Sequence, residues 1–136
     1  MTTVLFACVH NAGRSQMAAG FFNELADPAL ACAISAGTQP AEHVHPEVAE
    51  VMREVGIDLG AVQPTLLTDA LAGSVQVLVT MGCGETCPLV PGAERIEWDI
   101  PDPKGQPLER VRTIRADIRA RVEELIAAHG WQRRGV

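Results

Sequence analysis

Short apolar runs alternate with amphipathic stretches along most of this 136-residue chain, and this alternation restricts the fold more than any other feature. The runs are continuous and short, which is typical of strands in a parallel sheet that is covered on both faces. They are Val4–Ala7, Ala31–Ala36, Val75–Met81 and, more weakly, Arg95–Trp98. We therefore expect an α/β fold with a central four-stranded parallel sheet, right-handed crossovers and helices on both faces.

The stretches between and after these runs carry apolar residues at three- and four-residue spacing, which predicts helices. The predicted helices run from Arg14 to about Leu25, from His45-Pro46 to Gly56, near Thr68–Leu71, and from Leu108 to Ala128. The length of the chain suits one hydrophobic core, so residues 1–136 are expected to form a single domain.

Composition and charge argue against several classes of protein. Apolar residues make up 47% of the chain and charged residues 21%, as in ordinary globular domains. Eleven basic and seventeen acidic side chains give a net charge of −6, which disfavours nucleic acid or an anionic membrane surface as a partner. We see no apolar run near the roughly 20 residues that cross a bilayer. No cationic leader precedes Cys8, so we expect a cytoplasmic protein with free thiols.

The segment from Cys8 to Ser15 lies between the first predicted strand and the first predicted helix. The residues between Cys8 and Arg14 can wrap into a cradle whose backbone N–H groups bind a tetrahedral oxyanion. The cradle residues are Val9, His10, Asn11, Ala12 and Gly13. The planar guanidinium of Arg14 can add two hydrogen bonds to the same anion.

The same surroundings make Cys8 a candidate nucleophile. Inward N–H groups, a helix N-terminus and Arg14 all favour the thiolate, and Ser15 can donate a hydroxyl hydrogen bond to the sulfur. Asn11 and Gly13 tolerate the left-handed backbone that tight loops often need. The side chain of His10 is given no role.

Together with three further segments, this loop resembles the low-molecular-weight protein tyrosine phosphatase superfamily and, within it, the cytosolic arsenate reductases. The further segments are Ser35–Thr38, Glu54–Asp58 and Asp102–Pro103. The resemblance covers nearly the whole chain and implies the same four-stranded parallel sheet, with the oxyanion loop after the first strand. It also implies that Asp102 is the general acid that protonates the leaving oxygen, with Asp99 as a less favoured substitute.

Two features favour a reductase over a phosphatase. The tyrosine phosphatases of this family follow Asp-Pro with tyrosines that flank the substrate ring, whereas Lys104-Gly105 follows here and the chain has no Tyr. Cys83 and Cys87 come directly after the third predicted strand, and a hydrolase does not need them. We therefore expect Cys8 to attack arsenate, with phosphate or sulfate as analogues, and Cys83 and Cys87 to pass a disulfide outward to thioredoxin.

Several alternatives stay open. Cys83 and Cys87 are closer together than the relay cysteines of the thioredoxin-coupled reductases, which leaves the order of attack undecided. A small thiol such as mycothiol, with a glutaredoxin-like protein, is a second route for the electrons. Hydrolysis of phosphomonoesters, including phosphotyrosine, and a non-catalytic response to oxyanions are the remaining alternatives.

We expect no bound cofactor and no metal site. A structural zinc site needs four ligands, and the chain offers poor partners to Cys83 and Cys87. Cys32 lies within the second predicted strand, where we expect an inert cysteine of the core.

Overall fold

The computed structural model describes residues 1–82 and 92–133, and these residues alternate between strand and helix along the chain. The elements are β1 (Thr2–Cys8), α1 (Arg14–Leu25), β2 (Ala31–Gly37), α2 (Pro46–Arg53), α3 (Asp69–Gly73), β3 (Val77–Thr80), β4 (Glu94–Glu97) and α4 (Leu108–His129). The strands form one sheet in the order β2-β1-β3-β4, and each neighbouring pair is parallel. The predicted four-stranded parallel sheet is confirmed.

The sheet separates two apolar cores of unequal size. Val4, Phe6 and Val79 point to the larger core, which α1, α2 and α4 cover. Leu5 and Leu78 point to the smaller core, which is packed against α3 and the residues around it. Because side chains alternate along a strand, Cys8 lies on the side of the larger core together with Val4 and Phe6.

The expectation that Cys32 is a core residue is wrong. The side chain is partly exposed, and its sulfur lies 3.9 Å from the hydroxyl oxygen of Thr3. Cys32 shares its face of β2 with Ile34, which packs against the smaller core. β2 is an edge strand and α3 spans only Asp69–Gly73, so that face is thinly covered at Cys32.

Two elements are shorter than predicted. β3 begins at Val77 rather than Val75, and α2 ends at Arg53 rather than at Gly56. Gly56 has a φ of 81°, a left-handed conformation that suits the end of a helical segment. No helix within the described ranges 1–82 and 92–133 has both the length and the apolar character needed to cross a membrane.

The residue after α2 ties this helix to α4. The carboxylate of Glu54 accepts hydrogen bonds from Arg112 and Arg115 at 2.7 and 2.8 Å, and these bonds lower the pKa of Glu54 to about 2. Arg115 also donates to the carbonyl of Val51, one of the carbonyls that the last turn of a helix leaves unpaired. These contacts fix the C-terminal end of α2 to α4. The N-terminal end of α2 adjoins the Cys8–Ser15 loop.

Candidate active site

The Cys8–Ser15 loop leaves the carboxyl end of β1, an interior strand of the sheet, and leads into α1. The neighbouring strand β2 ends against this loop at Gly37. A Cβ atom on Gly37 would lie 2.6 Å from the carbonyl oxygen of Val9 and 2.8 Å from the backbone nitrogen of Asn11. Only glycine therefore allows β2 to approach the loop this closely.

The carbonyl groups of the loop point away from its concave side. They accept hydrogen bonds from backbone N–H groups of the segment that follows β2. The donor–acceptor pairs are Thr38–Cys8, Gln39–Val9, Ala41–His10 and His45–Ala12, at 3.2, 2.8, 2.9 and 2.9 Å. In a trans peptide the N–H points opposite to the preceding C=O, so the N–H groups of Val9, His10, Asn11 and Gly13 face the concave side. Such convergent backbone donors suit a tetrahedral oxyanion.

The sulfur of Cys8 lies among these donors. Cys8 is 3% exposed, and its sulfur accepts a hydrogen bond from the N–H of Asn11 at 3.2 Å. The hydroxyl oxygen of Ser15 is 2.9 Å from the sulfur and accepts a hydrogen bond from the side-chain amide of Asn11 at 2.8 Å. Since Ser15 acts as the acceptor toward Asn11, its single hydroxyl hydrogen is available to the sulfur. Two donors thus hold the sulfur in one position at the base of the cradle.

Asn11 connects the loop to the rest of the molecule. It is fully buried, and its φ of 50° makes it the one described non-glycine residue in the left-handed region. Its side-chain oxygen accepts a hydrogen bond from the N–H of Thr65 at 2.8 Å. Gly13, in contrast, has a φ of −143°, so the loop needs glycine there for space rather than for a left-handed backbone.

The guanidinium of Arg14 contacts the segments that follow β3 and β4. One terminal nitrogen of its guanidinium donates to the carbonyl oxygen of Ile100 at 3.0 Å. Gly82, after the end of β3, lies against the same guanidinium, and a Cβ atom on Gly82 would be 2.6 Å from that nitrogen. The carboxyl ends of β1, β3 and β4 thus bring Cys8, Gly82 and Ile100 to one edge of the sheet, as open parallel sheets generally do with their sites.

The loop that carries Asp102 rests on the Cys8–Ser15 loop. Asp102 is exposed, and its carboxylate accepts a hydrogen bond from the N–H of Lys104 at 3.0 Å. The neighbouring Pro103 is buried against Gly13, where a Cβ atom would be 2.9 Å from the Pro103 ring. Asp102 is therefore held at the rim of the cradle with a free face toward solvent.

His45 is a neighbour of the site that sequence reasoning treated only as the start of a helix. Its ring packs on Gly13, with a carbon 3.5 Å from the position of a Cβ there. Burial lowers the pKa of His45, and the nearby charges of Glu47 and Asp102 oppose this effect.

Three further residues that contact the loop could hardly be recognised from the sequence. Thr65 and Ile100 act through backbone groups, which no residue type reveals. Gln16 lies at a buried position of α1, and a polar residue there is the one hint that the sequence contained. Cys83 and Cys87 lie outside the described residues.

A family model described as low molecular weight phosphotyrosine protein phosphatase matches residues 3–133. The chain belongs to this family. The resemblance noted in the sequence is therefore confirmed.

The chain is similar both to arsenate reductases and to a phosphatase. A glutaredoxin arsenate reductase of Synechocystis sp. is 37% identical over 130 residues, covering 93% of this chain and 98% of that protein. The structure of a thioredoxin-dependent arsenate reductase of Corynebacterium glutamicum superposes with a TM-score of 0.82 at 35% identity, over 94% of this chain and 61% of that one. A low molecular weight protein tyrosine phosphatase of T. tengcongensis gives a TM-score of 0.80 at 26% identity, over 94% and 99% of the two chains.

Proposed function

We propose that this protein reduces arsenate to arsenite with electrons from an external thiol. The observation that carries the proposal is the position of the Cys8 sulfur, which accepts two hydrogen bonds at the base of a cradle of backbone N–H groups that Arg14 borders. Gly82 lies against Arg14, and Cys83 is the next residue in the sequence. The arsenate reductases among its relatives support the same activity.

In the first step, the Cys8 thiolate attacks arsenic in an arsenate held by the loop and Arg14. A sulfur–arsenic bond forms, and one arsenic–oxygen bond breaks. Asp102 gives a proton to the departing hydroxyl group of the arsenate, which therefore leaves as water and not as hydroxide. Arsenic is still As(V) in the resulting adduct.

The second step transfers the electrons. The Cys83 thiolate attacks the sulfur of Cys8, forming a disulfide, and the sulfur–arsenic bond breaks with its electron pair remaining on arsenic. Arsenite, As(III), leaves. Cys87 then attacks the sulfur of Cys83 and releases the Cys8 thiolate, so that a Cys83–Cys87 disulfide remains for an external dithiol to reduce.

The external reductant has two candidates. Thioredoxin suits the intramolecular relay, while a small thiol of the mycothiol type with a glutaredoxin-like protein would act directly on the Cys8–arsenic adduct. We favour the relay because both cysteines are present. Either route needs a reducing compartment, and the compartment we propose is the cytoplasm. The proposal includes no bound cofactor, no metal, no nucleic acid and no membrane.

The test supplies arsenate with either thioredoxin, its reductase and NADPH, or a small thiol with its glutaredoxin partner, and follows NADPH oxidation against arsenite formed. Cys83→Ser and Cys87→Ser are expected to abolish turnover with thioredoxin but to leave Cys8 reactive toward iodoacetamide. Cys32→Ser is the matched control, because the Cys32 sulfur lies beside Thr3 on the thinly covered face of the sheet.

Oxidation of NADPH in neither system would refute the reductase. Full turnover of Cys83→Ser with the small thiol alone would select the second route. Phosphatase activity is the second candidate function, because phosphate has the same tetrahedral shape as arsenate. It predicts efficient hydrolysis of an aryl phosphate that neither Cys83→Ser nor Cys87→Ser affects.

A further inference from the structure

One peptide of the oxyanion loop is held differently from the others. The carbonyl groups of Cys8, Val9, His10, Ala12 and Gly13 each accept a hydrogen bond from a backbone N–H. The carbonyl of Asn11 accepts none from the described backbone, because the left-handed φ of Asn11 turns this peptide out of line with its neighbours. A buried carbonyl without a partner is costly, so this peptide needs a donor from elsewhere.

Gln16 supplies that donor. Its side-chain amide nitrogen lies 3.1 Å from the carbonyl oxygen of Asn11 and 3.2 Å from the side-chain oxygen of the same residue. Gln16 is 3% exposed, so water does not compete for these bonds. One amide of α1 therefore holds both the backbone and the side chain of Asn11.

The orientations of the amide groups follow from their partners. The N–H of Thr65 can only donate, so the Asn11 atom that it faces must be the oxygen, and the Asn11 nitrogen must face Ser15. Gln16 faces two oxygen atoms of Asn11, so its nitrogen must point toward them. The hydrogen-bond direction is thus determined at each link.

We infer that Gln16 is a positioning residue for the nucleophile. It donates to Asn11, Asn11 donates to Ser15, and Ser15 donates to the sulfur of Cys8. The same clamp keeps the N–H of Asn11 on the sulfur, because it fixes the left-handed backbone of that residue. The inference deepens the proposed function, since either chemistry of this loop needs an ionised and oriented Cys8.

The test is the reactivity of Cys8 toward iodoacetamide as a function of pH, followed at Cys8 by peptide mass spectrometry. Gln16→Met keeps the length of the side chain and removes the donor. We expect the alkylation profile to shift so that the rate at neutral pH falls roughly three- to tenfold, the effect of losing one hydrogen bond in the network. Gln76→Met is the control, because Gln76 is exposed and accepts from the N–H of Thr3, away from the loop.

A second variant guards against a simple loss of stability. Gln16→Glu keeps the shape, but its carboxylate faces the two oxygen atoms of Asn11, so a larger change than in Gln16→Met is expected. Urea unfolding of each protein reports global stability separately. An alkylation profile like that of the wild type in both variants would overturn the inference, as would an equal change in Gln76→Met.

The outcome is independent of the reductase proposal. Alkylation uses neither arsenate nor a reductant, so an unchanged profile leaves arsenate reduction standing. Conversely, a protein that fails to reduce arsenate but shows the expected shift in Gln16→Met refutes the reductase and supports the role of Gln16.

Discussion

Replacement of Ser15 by alanine removes a hydrogen bond at the sulfur of Cys8. Ser15 is fully buried, its hydroxyl oxygen lies 2.9 Å from the Cys8 sulfur, and it accepts a hydrogen bond from the Asn11 side chain at 2.8 Å. The substitution therefore has two separate effects. The sulfur loses one of its two donors, and the Asn11 amide loses its acceptor in a buried position.

Both effects have expected sizes. A hydrogen bond to a charged group contributes about 1.5–3 kcal/mol. Since about 1.4 kcal/mol corresponds to a factor of ten, the rate of Cys8 alkylation at neutral pH should fall roughly ten- to a hundredfold. The unpaired buried amide of Asn11 should lower the free energy of unfolding by about 1–3 kcal/mol.

The assays are the pH–rate profile of Cys8 alkylation and urea unfolding. Ser74→Ala is the matched control, because the Ser74 hydroxyl donates to the carbonyl of Leu71 at an exposed helix end, and its loss should leave the profile unchanged. If Ser15→Ala lowers the stability but leaves the alkylation profile of Cys8 unchanged, the sulfur does not depend on the Ser15 hydroxyl and the reasoning is refuted.

Two further predictions concern other parts of the molecule. Gly82→Ala places a Cβ atom 2.6 Å from an Arg14 guanidinium nitrogen, so phosphate affinity measured by calorimetry should fall roughly tenfold or more while Cys8 alkylation without anion stays near normal. Wild-type phosphate affinity would contradict this placement of Arg14. The hydrogen bond to Glu94 raises the pKa of His129 above 6.5. The pairing of protonated His129 with Glu94 therefore stabilises the fold fully below pH 6.5, and this stabilisation is lost as the pH rises through the raised pKa. In urea unfolding, the difference in free energy of unfolding between wild type and His129→Gln should shrink across this pH range. A difference that stays constant with pH would contradict the prediction.

The sequence predicted what depends on neighbouring residues along the chain. The helix that follows the loop begins at Arg14 and ends at Leu25 as its apolar spacing predicted, and the four strands lie close to the predicted runs. The order strand, Cys8–Ser15 loop, helix was also readable, because the periodicity changes on either side of the loop. Local patterns contain this information, since they arise from backbone geometry and from which face of an element is apolar.

Prediction from the sequence alone was poorer where burial depends on distant elements. Cys32 has the apolar neighbours of a core residue, yet it is partly exposed because the short helix α3 leaves its face of an edge strand thinly covered. Glu54 is paired with Arg112 and Arg115 of α4, a contact between distant segments that the sequence analysis did not predict.

The tertiary structure alone decided how the site is held. The side-chain oxygen of Asn11 is bound by Thr65, and the guanidinium of Arg14 by the carbonyl of Ile100, partners that are far away along the chain and act through their backbone. Backbone donors and acceptors are the same in every residue type, so no sequence pattern distinguishes them. Only the parallel sheet, which brings the carboxyl ends of its strands to one edge, selects which of them meet. The amino-acid sequence therefore determined Cys8 and the loop that follows it, and the packing of distant segments determined the hydrogen bonds that orient them.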